Sequence, residues 1–134
     1  MNHDIQTFKF VKDKKVLVIN ARPYTFEIED VLIKRFGLNT IKKFAQTGNL
    51  VFDVTLGEVK EDLPKLLDMK GAADIDWKKQ NFDEIARVYY FFLEYKRNVN
   101  LRALKLEAET LRSQIQELAT LMSSAQENIL KATS

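Results

Sequence analysis

Residues 101–129 read LRALKLEAETLRSQIQELATLMSSAQENI, and their spacing decides how the chain is put together. With Leu101 at heptad position a, that series continues through Ala108, Ile115, Met122 and Ile129, and position d holds Leu104, Leu111, Leu118 and Ala125. Every seam position is apolar. A strict seven-residue repeat is 3.5 residues per turn, the period of a left-handed coiled-coil seam; an ordinary core helix drifts off it within a few heptads. The spacing predicts oligomerisation through Leu101, Leu104, Leu111, Ile115, Leu118, Met122 and Ile129, with a homo-oligomer as the expected product. An amphipathic helix lying on the rest of the chain is the alternative. In a parallel pair Glu107 at g would face Arg112 at e of the other copy, whereas Leu121 at g widens the stripe and also suits a larger bundle. No charged residue sits in the seam to fix register.

Upstream, Asn81 and Glu84 form a capping-box pattern, with Asp83 adding favourable charge, and predict a helix from about residue 82 to about residue 130. Asn98-Val99-Asn100 is its soft spot, so one continuous helix and an antiparallel hairpin both remain open. Val88, Tyr89, Tyr90, Phe91, Phe92, Leu93 and Tyr95 are apolar or aromatic almost all round, which demands two contact surfaces. Helical spacing splits them into two stripes. Ile85, Tyr89 and Phe92 are expected to close a core; Val88, Phe91 and Tyr95 either meet the C-terminal helix or are the candidate docking face for a protein partner.

Composition changes near residue 71. All four glycines and both prolines precede residue 72. The chain is therefore divided into a mixed α/β head, 1–71, and a helical region, 72–134. In the head, Phe8 and Phe10 alternate with Thr7 and Lys9, Lys12-Asp13-Lys14-Lys15 supplies a polar turn, and Val16 to Ile19 runs apolar, a hairpin pattern. Thr25 as N-cap, Glu27, Glu29 and Asp30 early, Lys34 and Arg35 late and Gly37 at the end predict a helix, although Tyr24, Phe26 and Ile28 also alternate as a strand would. A second short helix is expected from Asn39 to Gly48. Leu50, Phe52, Val54 and Leu56 alternate with Val51, Asp53 and Thr55, predicting a third strand, and residues 60–70 predict a short helix or turn with Pro64 in its first turn. The fold class is thus α+β: a three-stranded antiparallel sheet with short helices, followed by long C-terminal helices with a coiled-coil-type heptad segment.

Most catalytic chemistry finds no purchase. Cysteine is absent, removing thiol nucleophiles, disulfides and thiolate metal sites. The single histidine, His3, lies in a segment expected to fray, and all four serines lie from Ser113 onward, away from any strand-to-helix elbow. No glycine-rich loop resembles a phosphate cradle. Asp74-Ile75-Asp76 and the Glu27, Glu29, Asp30 group have spacings that helix capping and solvation explain as well as a metal does. No catalytic residue, cofactor or metal is expected.

Lys+Arg number 21 against 19 Asp+Glu, so the whole-chain field favours neither nucleic acid nor an anionic membrane. No apolar run approaches a membrane span or a secretory h-region. A cytoplasmic location is expected, or a virion if the source is viral. Function reads as a non-enzymatic interaction or assembly protein whose head docks a partner while the C-terminal helix oligomerises; small virion or phage assembly components share that layout, an analogy of architecture. The alternative is a nucleic-acid-binding regulator with a helix-turn-helix-like segment around 26–46, contacting its ligand through Lys34, Arg35, Lys42 and Lys43.

Overall fold

The computed structural model describes residues 6–70 and 74–133, with the side chains of 130–133 excepted. His3 and Gly71 fall outside the described residues. The chain comprises β1 (Thr7–Lys12), β2 (Lys15–Asn20), α1 (Phe26–Phe36), α2 (Leu38–Thr47), α3 (Leu56–Leu66), a 3₁₀ turn (Trp77–Lys79) and α4 (Phe82–Thr133). It is an α+β protein with a two-stranded antiparallel sheet and a long C-terminal helix. It divides into two compact units, Met1–Arg97 and Asn98–Ser134, so the first unit takes in residues 82–97 of α4 together with the hairpin and the short helices. Asn98, Val99 and Asn100 are all helical.

The hairpin is fixed by a two-residue turn. Asp13 and Lys14 both have positive φ, 51° and 64°, the backbone that a tight hairpin turn needs to match strand twist. Phe8 pairs with Ile19 and Phe10 with Leu17, which puts Phe8, Phe10 and Ile19 on the buried face. Gly37, at φ 85°, links α1 directly to α2 in a conformation that side chains other than glycine adopt only with strain. The core of the first unit brings these strands together with Ile28 and Leu32 of α1, Phe44 of α2, Leu63 and Leu66 of α3, and Tyr89 and Phe92 of α4.

The expected third strand is corrected. Residues 51–55 are irregular, and α3 starts at Leu56. Thr55 and Glu58 make a reciprocal capping box, in which Glu58 N–H donates to Thr55 Oγ1 and Thr55 N–H donates to Glu58 Oε1 at 2.9 Å. The alternation at 50–54 reflects one-sided packing: Leu50 and Phe52 are partly buried, Val54 is buried and Val51 is exposed. An early helix start also moves Pro64, expected in a first turn, to the last turn of α3. The ladder position beside β1 is taken, because Val11 N–H donates to the Gln80 side chain at 2.7 Å, Gln80 Nε2 donates to Val11 O at 2.7 Å, and Lys9 N–H donates to Glu84 Oε2 at 2.7 Å. The capping box expected at Asn81 is accordingly half made. Asn81 Oδ1 accepts from Asp83 and Glu84 N–H, while the Glu84 carboxylate serves Lys9 and Arg87.

Candidate functional site

Val59, Asp62, Leu63 and Leu66 share one face of α3, and that register carries a carboxylate into the core. Asp62 is 2% exposed and accepts three hydrogen bonds: from Arg35 Nε at 2.5 Å, from Arg35 Nη2 at 2.9 Å and from the Tyr89 hydroxyl at 2.7 Å. Two donors on one guanidinium meeting two carboxylate oxygens is the strong geometry for this pair. Glu58 and Glu61 add further contacts to the same guanidinium, and Glu61 also pairs with Lys34. The cluster ties α1, α3 and α4 together through one buried charge.

The electrostatics follow. The Asp62 hydrogen bond holds the Arg35 proton more tightly than usual, with the Asp62 and Glu58 charges adding to it. Burial, then the bond to Asp62, pushes the Tyr89 phenol well above its ordinary range. The Thr55 backbone N–H, with Arg35, holds Glu58 below 4.5; the hydrogen bond from Lys34 does the same for Glu61. Across the core, Tyr24 stacks on Tyr95 with centroids 5.0 Å apart, and burial followed by Tyr95 pushes it up to about 12. These directions predict a pH profile. Glu58 and Glu61 contribute stability that is present above pH 4.5 and lost as pH falls below it. Tyr24 contributes stability present below pH 10.0 and lost as pH rises toward about 12. Thermal melts across that range should fall at both ends; an unchanged melting temperature in acid would contradict the carboxylate assignments.

Sequence-predicted site residues are scattered. Val88 is fully buried, so it offers no docking surface; Phe91 is half-buried against Phe8 and Phe92, and Tyr95 is exposed on Tyr24. The three do not form one open face. Arg35, expected at a nucleic-acid contact, is 8% exposed and enclosed by carboxylates, and Lys34 is paired with Glu61. Lys42 and Lys43 are exposed. Lys43 and Arg35 share the wall of a cleft of about 550 Å³ with Thr40, Asn49 and Asp53. A phosphate there would have to compete with Asp62 and Glu58 for Arg35. Asp76 caps the 3₁₀ turn and Glu29 pairs with Lys96; no metal-type cluster occurs among the described residues. Sequence reasoning placed Tyr89 in the core but missed its hydroxyl contact and missed Asp62, whose signal was its place on the apolar face of α3.

In the second unit, residues 101–129 are helical and exposed throughout. Among the described residues, no helix is long and apolar enough to cross a membrane. Comparison with protein-family models, curated proteins and solved structures gave no match.

Proposed function

We propose that this chain is a non-enzymatic assembly protein, in which residues 101–129 form a self-associating coiled coil and the first unit binds a protein partner. One observation carries the self-association: Leu101, Leu104, Leu111, Ile115, Leu118 and Met122 are 48–65% exposed in the single chain, all on one strict heptad seam. Fully burying such a side chain is worth about 1.5–3 kcal/mol, so a seam of six leaves a large driving force unspent in a lone helix. A second copy supplies matching a and d knobs, and Glu107 facing Arg112 favours the parallel arrangement.

Light scattering on the intact protein at tens of micromolar should return a multiple of 15.6 kDa. The double substitution Leu111→Glu, Leu118→Glu should reduce it to the single-chain mass, because charges at d positions cannot be buried unpaired. A parent that is already monomeric at that concentration overturns the self-association.

A further inference from the structure

The two edges of the hairpin are treated differently. In an antiparallel pair, residues alternate between those whose backbone groups meet the partner strand and those whose groups point outward. Ala21 N–H donates to Gln6 O, which places Phe8–Ile19 and Phe10–Leu17 among the inward pairs and Lys9–Val18 and Val11–Val16 among the outward ones. On β1 the outward N–H of Lys9 is closed by Glu84, and the outward N–H and C=O of Val11 are closed by Gln80. Among the described residues, β2 is closed at its far end, where Asp68 N–H donates to Asn20 O and Ala21 bridges Leu67. The outward N–H and C=O groups of Val16 and Val18 make no hydrogen bond among the described residues. Their side chains are 64% and 60% exposed, and Val11 is exposed beside them on the same face of the hairpin. Open strand edges invite pairing, and chains that do not use them usually block them. Here one edge is blocked and the other is not.

We infer that the open edge of β2 at Val16–Val18 is the head's docking site, and that it takes an extended acidic segment of a protein partner as an added strand. Charge names the occupant. On the hairpin Lys9, Lys14 and Lys15 outnumber Asp13, so a strand alternating apolar and acidic residues sets its apolar side chains beside Val16 and Val18 and its carboxylates toward the lysines. Nucleic acid could use the lysines but has no strand to offer the unpaired backbone groups. The site rests on the reading of the first unit as a partner-binding head, not on self-association of the helix.

The probe is a capped, fluorescein-labelled ten-residue peptide of alternating Val and Glu, with a Val–Lys peptide as its counterpart, titrated into the full-length chain. Anisotropy should show saturable binding of the Val–Glu peptide and at least tenfold weaker binding of the Val–Lys peptide. Amide exchange by NMR should slow at Val16 and Val18 when the Val–Glu peptide is added and not at Lys9 or Val11. Val18→Pro removes an outward N–H that the hairpin does not use, so the fold should persist and binding should fall at least tenfold. Failure of the Val–Glu peptide to bind, equal binding of both peptides, protection elsewhere, or displacement by a single-stranded oligonucleotide each overturns the proposal. Concentration-dependent protection of Val16 and Val18 without peptide assigns the edge to a second copy and overturns it too. The Leu111→Glu, Leu118→Glu chain should bind the peptide as the parent does, which separates this site from the coiled coil.

Discussion

An Asp62→Ala chain is expected to lose about 3–5 kcal/mol of folding stability, the usual cost of removing one partner from a buried ion pair. The magnitude follows from what is left behind. Arg35 keeps its charge at 8% exposure with its two best acceptor atoms gone, and the Tyr89 hydroxyl loses the acceptor it meets at 2.7 Å. Glu58 and Glu61 offset part of that loss, but both are far more exposed and exchange their contacts with water. Against a total of roughly 5–15 kcal/mol for a small domain, the loss removes a large share of the margin. Replacing both partners, Arg35→Met with Asp62→Leu, should restore part of it, since a buried pair gains little over apolar side chains of similar volume while the Tyr89 hydroxyl still lacks its acceptor. Urea titrations of the parent, both single variants and the double variant measure the coupling. A single Asp62→Ala variant within about 1 kcal/mol of the parent would mean that the pair acts as a surface bridge does, and the clasp across α1, α3 and α4 would have no energetic content.

That cluster also shows where sequence reading stops. Elements defined by neighbours in the chain were legible: the hairpin from Phe8 and Phe10, α1 from its charge order between Thr25 and Gly37, α2 up to Gly48, and the helix beginning after Asn81. What the sequence concealed depends on residues far apart. Gln80 reaches Val11 across 69 positions and Glu84 reaches Lys9 across 75, and those two contacts occupy the β1 edge of the hairpin. The alternation at Leu50, Phe52 and Val54 is real, but period two reports which side of an extended segment is buried, not whether a ladder partner exists. Arg35 misled for the same reason. Its position in the last turn of α1 reads as dipole complement and solvated charge, while its partner Asp62 lies on another helix. The heptad seam is the opposite case, because its period is visible in the chain while residues 101–129 are exposed in the structure.

Phe92→Ala should be the other severe change, at about 3–5 kcal/mol for a buried phenylalanine. Phe92 is 1% exposed, meets Phe91 edge-on at 5.0 Å and lies 6.3 Å from Tyr24, so truncation opens a hole bounded by aromatic rings that cannot collapse without moving α4. Its neighbour is placed differently. Phe91 is half-buried and covers Phe8 at 6.1 Å, with Arg87 over the other part of the same Phe8 ring, so water can reach the space that Phe91→Ala creates. About 1–2 kcal/mol is expected there, the loss of aromatic edge contacts and partial burial without a closed cavity. At roughly 4–8 °C per kcal/mol for a domain of this size, a difference of about 1–4 kcal/mol should separate the two melting temperatures by at least about 4 °C. Helix geometry makes the comparison sharp, since adjacent residues differ by about 100° in direction while sharing backbone, propensity and side-chain chemistry. Near-equal melting temperatures would place Phe91 inside the same core as Phe92, and the head would then have no half-covered aromatic surface beside its hairpin.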